Sequence, residues 1–186
     1  MSTGAHAGLE PSTWLRRWSH LVPAGARVLD VACGSGRHVR WFAARGALVT
    51  ALDRDAAALE PLRGIADEII VADIEHGAWP LTGRRFAAVL CTNYLWRPLL
   101  PAIVAAVDAG GVLLYETFAA GNASVGRPSN PDFLLRPGEL LAAANGLRIV
   151  AYEDGFIDSP ARFVQRIAAV REAGPMDAAA PPRYAL

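Results

Sequence analysis

The stretch Val28-Leu29-Asp30-Val31-Ala32-Cys33-Gly34-Ser35-Gly36 decides the fold class of this chain. Its first half is apolar and β-branched, the mark of a buried strand. Its second half is a turn of small residues, where glycine lets the backbone bend sharply and approach a ligand closely. Ser35 to Arg45 then reads as a helix with Val39, Phe42 and Ala43 on one side, stopped by Gly46. A helix start presents unbonded N–H groups. Strand, glycine turn and helix in this order place a ligand at the carboxyl end of a parallel strand.

Outward from this unit the pattern repeats. Strands are predicted over 47–52, 68–72, 86–91 and 112–118, with helices over 55–62 (interrupted by Pro61) and 98–107. Near-continuous apolar strands alternating with helices predict an α/β, doubly wound, mostly parallel sheet covered on both faces. Two later β-like runs, 147–156 and 161–170, meet at a Ser159-Pro160 turn and predict an antiparallel pair, giving seven strands in all. Before the sheet, Ser12 offers an N-cap to a short helix carrying Trp14, Leu15 and Trp18. That helix either packs on the core or covers a ligand cleft. The long segment 119–135, rich in Gly, Asn, Ser and Pro, carries enough apolar residues (Phe133, Leu134, Leu135) to be packed. A further helix is expected near 138–144.

Composition narrows the class. The chain has 186 residues, 53% of them hydrophobic and 19% charged, which suits one domain with a sizeable core. No apolar run approaches the ~20 residues that cross a bilayer, and the first residues lack a secretory pattern, so a cytoplasmic protein without membrane association is expected. Net charge is +0, whereas nucleic-acid binders usually carry a basic excess; nucleic acid is therefore a disfavoured partner. All 18 basic residues are Arg, which removes any Lys nucleophile. Cys33 and Cys91 stand too far apart in sequence for a metal motif or a disulfide framework, and no metal is expected.

The glycine turn discriminates between cofactors. A dinucleotide fingerprint needs G-x-G-x-x-G, but counting from Gly34 and Gly36 the third position is Val39. Asp30, at the strand end, would repel a pyrophosphate and suits a cationic or ammonium ligand. A nicotinamide-dependent oxidoreductase is accordingly disfavoured.

The segment Val28 to His38 resembles motif I of the class I S-adenosylmethionine-dependent methyltransferases, an acidic residue followed by G-x-G-x-G. Ala32 stands in the place of the first glycine, and Gly34 and Gly36 hold the other two. The likeness continues motif by motif over roughly residues 27 to 118. It implies a Rossmann-like methyltransferase fold and S-adenosyl-L-methionine as cofactor, with residues 27–172 as the methyltransferase domain, 1–26 as an N-terminal arm and helix, and 173–186 as a flexible tail. Within Ala51-Leu52-Asp53-Arg54-Asp55 it implies that Asp53 accepts from the ribose hydroxyls, where a carboxylate suits two donors; Asp53 or Asp55 could instead cap the next helix. Within Val71-Ala72-Asp73-Ile74-Glu75 it implies Asp73 at the adenine amino group and Ile74 against the ring. After the fourth strand, Cys91 and Asn93 are expected beside the cofactor, with Cys91 near Cys33.

The cofactor-binding set is therefore Asp30, Ala32, Cys33, Gly34, Gly36, Asp53, Arg54, Asp73, Ile74, Cys91 and Asn93. Candidates for contacting the substrate are Tyr94, Trp96, Arg97, Tyr115 and Arg127; the two arginines have forked donors for an oxyanion or are surface residues. His38 is either a base near the cleft or a packed residue at the helix start. No catalytic acid–base pair stands out, consistent with a transfer that relies on alignment. Segment 115–135 also looks like a bacterial subgroup loosely grouped with tellurite-resistance enzymes. The expected function is methylation of a small molecule. Alternatives are a non-catalytic cofactor-binding sensor or assembly module, and a methyltransferase acting on a protein or RNA.

Overall fold

The computed structural model describes residues 10–174 and 181–186. Seven strands form one sheet in the order β3-β2-β1-β4-β5-β7-β6. The strands are β1 (Arg27–Val31), β2 (Leu48–Asp53), β3 (Glu68–Val71), β4 (Phe86–Thr92), β5 (Val107–Phe118), β6 (Arg148–Asp158) and β7 (Ala161–Val170). The first five run parallel, and β7 is antiparallel to both β5 and β6. The chain order reverses beside β1, between β2 and β4, so the switch point that binds ligands in open α/β sheets lies at the end of the glycine-loop strand.

Successive strand residues face opposite sides of the sheet, and each side carries its own core. On one side Val28, Val49, Leu90, Leu114 and Ala168 pack with Trp14, Trp18, Phe42 and Leu59 from α1 (Thr13–Trp18), α2 (Arg37–Ala43) and α3 (Ala56–Leu59). On the other, Leu29, Val31, Val89, Leu113 and Ile167 pack with Ile103 of α4 (Leu100–Ala105) and Leu140 of α5 (Glu139–Ala143). No helix among the described residues is long and apolar enough to cross a membrane.

Most predicted elements appear, with one instructive difference. The helix expected over 98–107 ends at Ala105, and β5 begins at Val107, upstream of the paired glycines. Val107 pairs with Phe86, the register then shifts, and pairing resumes at Ala88 with Val112. The glycines lie in this bulge: Gly110 has φ 77° and its N–H bonds the Arg171 carbonyl. They shape a bulge within a strand instead of ending a helix.

The segment 119–135 is packed, as its apolar residues suggest. Ala119 bridges Leu135, Leu135 is fully buried, and Asn122 Nδ2 donates to the Pro128 carbonyl at 2.9 Å. Phe133, by contrast, is 45% exposed. Residues 1–9 and 175–180 lie outside the described residues, so the start of the expected N-terminal arm and much of the expected tail fall there. The chain end does not hang free: the Arg148 guanidinium carbon lies 5.9 Å from the Tyr184 ring centroid, and His20 Nε2 lies 3.2 Å from the Ala185 carbonyl oxygen.

The N-terminal helix is part of the core. Ser12 caps α1 by accepting from the Trp14 and Leu15 N–H groups. Trp14 and Trp18 are buried with ring centroids 5.6 Å apart, and the Trp14 indole N–H donates to the Ile167 carbonyl at 3.2 Å. Trp14→Ala leaves a large void and should cost about 3–5 kcal/mol, read as a lower denaturant midpoint; a change under ~1 kcal/mol would show that α1 is not integral to the fold.

Candidate functional site

The turn after β1 is built on left-handed backbone. Ala32, Gly34 and Gly36 have φ of 52°, 54° and 73°. Gly34 and Gly36 adopt this region freely. Ala32 does not, because its Cβ crowds the carbonyl, so the loop keeps a glycine-type geometry at a residue that resists it. Space matters most at Gly36, where a Cβ would come within 2.4 Å of the Leu62 side chain. Asn93, in the β4 turn, also has positive φ, 54°, which its short polar side chain tolerates.

Asp53, at the end of β2, ties that turn down. Its Oδ2 accepts from the Gly34 N–H at 2.7 Å and its Oδ1 from the Asp55 N–H at 3.0 Å. Asp55 caps α3, accepting from the Ala57 and Ala58 N–H groups. The capping role that sequence leaves open between the two thus falls to Asp55. Asp53 keeps a free acceptor position on each oxygen.

Asp73, after β3, accepts from the Glu75 and His76 N–H groups and pairs with His76 Nδ1 at 3.1 Å. Those backbone donors and the imidazole hold its carboxyl below the usual range. A pocket of about 160 Å³ opens between these turns, lined by Ala32, Asp53, Arg54, Ala72, Asp73, Ile74, Glu75 and Tyr94. Enclosing sites for whole ligands run to roughly 300–1,000 Å³, so this pocket suits one part of a longer ligand, with the rest along the glycine turn. Arg54 and Glu75 face each other at its rim, 3.8 Å apart. The Tyr94 hydroxyl is buried without a hydrogen-bond partner, and burial beside Glu75 pushes it up.

Beyond the glycine turn stands Asp30. It is 1% exposed, and neither carboxylate oxygen has a hydrogen-bond partner among the described residues. Burial, reinforced by Asp53 and opposed by Arg37, raises its pKa to about 8. A bare buried carboxyl is costly, and a cationic group is the natural partner for it.

The remaining predicted residues separate. Cys33 is 8% exposed and its thiol contacts the Gly34 carbonyl, whereas Cys91 is fully buried with its thiol directed at the Tyr94 carbonyl; burial pushes both thiols up. Cys91 underlies the cleft and does not line it. Tyr115 is likewise buried, donating to the Tyr94 carbonyl at 2.8 Å. Arg97 is spent internally: it binds both Glu139 oxygens and the carbonyls of Asp132 and Leu134. It clamps segment 119–135 to α5, so the expected anion-binding role is corrected to a structural one, because its fork is already filled. Trp96 is partly buried with its ring 6.5 Å from that of His76, and Arg127 is exposed.

Sequence reasoning missed a buried polar cluster at the ends of β4 and β5. Glu116, 1% exposed, accepts from the Ser12 hydroxyl at 2.9 Å and faces Arg162 and Arg166. An acidic residue inside an otherwise apolar strand was the available signal. Among the described residues no group of three or more His, Cys, Asp or Glu is placed to hold a metal.

Comparison with known proteins agrees with this architecture. The family model described as a methyltransferase domain matches residues 28–110, which span the glycine turn, Asp53, Asp73 and the β4 turn. Over this span the chain resembles the class I S-adenosylmethionine-dependent methyltransferases. S-adenosylmethionine is the cofactor of the methyltransferases that this span resembles. The chain is 35% identical over 104 residues to malonyl-[acyl-carrier protein] O-methyltransferase of Salmonella typhimurium, covering 52% of this chain and 41% of that protein. It is 45% identical over 58 residues to ribosomal RNA small subunit methyltransferase C of Chromohalobacter salexigens, covering 28% and 17% respectively. It thus spans less than half the length of either curated relative. A TehB-like SAM-dependent methyltransferase from Corynebacterium glutamicum shares the fold with a TM-score of 0.63 at 18% identity, over 88% of this chain and 91% of that one.

Two outcomes follow for the glycine turn of this methyltransferase domain. Ala32→Gly should relieve the left-handed alanine and raise stability by about 1 kcal/mol, measured by denaturant unfolding; a loss would mean the turn is not strained. Asp30 binds a proton in the folded state up to pH about 8 that an unfolded carboxyl releases near its ordinary value of 3.8. Its contribution is therefore favourable below that lower value and is lost as pH rises toward 8. Asp30→Asn, which cannot ionise, should gain in melting temperature relative to the parent as pH rises through this window, whereas a constant difference would contradict a buried, unpartnered carboxyl.

Proposed function

We propose that this chain is an S-adenosylmethionine-dependent methyltransferase acting on a small-molecule acceptor. The observation that carries the cofactor geometry is the buried Asp30 carboxyl, without a hydrogen-bond partner among the described residues, two positions before Ala32, which lines a pocket together with Asp53 and Asp73. Asp30 fits the cofactor's ammonium, Asp53 has acceptor positions free for two ribose hydroxyls, and Asp73 with Ile74 fits the adenine. Ala32, Cys33, Gly34 and Gly36 bring backbone close between these ends, and Arg54 and Asn93 flank the cleft. When bound, the cofactor supplies a methyl group on a sulfonium, already a good leaving group.

The protein's part is then mainly orientation, which can contribute several kcal/mol. No general base is assigned. Tyr94 is the favoured acceptor-side residue, since its hydroxyl borders the pocket without a partner; Trp96 and Arg127 are secondary. A small acceptor is favoured because the chain carries no net charge to draw it to nucleic acid.

The second reading, methylation of RNA or protein, rests on the likeness to a ribosomal RNA enzyme. A ribosomal RNA fragment and an acceptor panel of thiols, amines and carboxylates, assayed for S-adenosylhomocysteine release, separate the two. Binding without turnover on any of these would instead favour a cofactor-binding module.

Asp53→Ala removes charge-assisted bonds and should weaken S-adenosylmethionine binding about a hundredfold or more, measured by titration calorimetry with circular dichroism as the fold control. Unchanged affinity in a folded variant would remove Asp53 from the ribose.

A further inference from the structure

Ser12 joins three parts of the molecule. Its hydroxyl caps α1 and donates to Glu116, and its backbone N–H donates to His38 Nε2 at 3.1 Å. His38, the second residue of α2, is 1% exposed. Because Nε2 receives a hydrogen bond, the ring is neutral with its proton on Nδ1. Burial acts in the same direction, lowering the imidazole pKa to about 3. Nδ1 faces two groups: Thr92 Oγ1 at 3.5 Å and Asp30 Oδ2 at 3.9 Å. Asp30 is the carboxyl that has no hydrogen-bond partner.

We infer that His38 is a positioning residue for Asp30, and that the Ser12 N–H sets the tautomer it needs for that task. The Nδ1–H, 3.9 Å from Asp30 Oδ2, supports the carboxylate electrostatically without occupying its hydrogen-bond positions, which stay free for the cofactor's ammonium. The start of α1 is thereby coupled to the amino-acid end of the cofactor cleft through a chain of three residues. This rests on the S-adenosylmethionine reading above. It adds a residue that touches neither cofactor nor acceptor, and gives the buried histidine a role beyond packing.

The test separates the two ends of the cofactor. S-adenosylhomocysteine and S-adenosylmethionine carry the ammonium; 5′-methylthioadenosine keeps the nucleoside but lacks the amino-acid group. His38→Gln retains an acceptor near the Nε2 position and loses the Nδ1 donor; His38→Asn does the reverse. In calorimetric titrations of the full chain, His38→Gln should lose about tenfold or more in affinity for the two ammonium ligands, with methylthioadenosine affinity unchanged. His38→Asn should lose less.

Ser12 supplies a second, independent pair of variants. Its φ of −52° is compatible with proline. Ser12→Ala and Ser12→Pro both lose the hydroxyl, but only the proline loses the N–H. The proline variant should bind S-adenosylhomocysteine more weakly than the alanine variant, again with methylthioadenosine unaffected. An equal loss across all three ligands, or none, in His38→Gln would reduce His38 to packing and overturn the inference. If His38→Gln fails to fold, equal affinities of the Ser12 pair overturn it. Wild-type protein that binds none of the three overturns the cofactor reading itself, and this inference with it.

Discussion

A carboxyl buried at the end of a parallel strand, without a hydrogen-bond partner among the described residues, is the constraint around which the site is arranged. Asp30 continues the face of β1 that points to α1 and α2, one turn from a loop whose backbone runs left-handed at Ala32, Gly34 and Gly36. Leaving such a group bare costs stability, and proteins concentrate such costs where a ligand will relieve them. Around it the other elements are satisfied: Asp55 caps α3, Asp53 anchors the Gly34 N–H, and Asp73 closes its own turn. The Asp53 and Asp73 turns are thus internally bonded, whereas Asp30 has no hydrogen-bond partner among the described residues.

The same contrast orders the two faces of the sheet. On the α4 and α5 side polar groups serve packing: Arg97 fastens segment 119–135 to Glu139, and Tyr115 and the Cys91 thiol both address the Tyr94 carbonyl. On the α1 side they form a connected series, from Asp30 through His38 and Ser12 to Glu116 and its two arginines. Cross-strand pairing makes this series possible, because Thr92, Glu116 and Arg166 occupy adjacent register positions on neighbouring strands. The N-terminal helix, held by two buried tryptophans, supplies the remaining member.

Much of this was legible in the chain. The alternation of apolar strands with helices required a parallel sheet, and the Ser159-Pro160 turn required the antiparallel pair. The misreading around 98–111 has a specific cause: paired glycines after an apolar helical run look like a helix stop, whereas here they permit a bulge inside a strand that has already begun at Val107. A bulge depends on the register of the partner strand, which local sequence does not contain.

By itself, then, the sequence determined the sheet, the glycine turn and the acidic residues at the ends of its first three loops, because strand period, glycine placement and turn chemistry are local properties. Tertiary structure alone decided which polar side chains are free and which are spent. Arg97 and Arg127 look equivalent as residues, yet one has its fork filled by groups 35 to 42 positions away and the other faces solvent. His38 acquires its tautomer from Ser12, a residue 26 positions away. Hydrogen-bond satisfaction is set by what folding brings within about 3 Å, and that is a property of the packed chain.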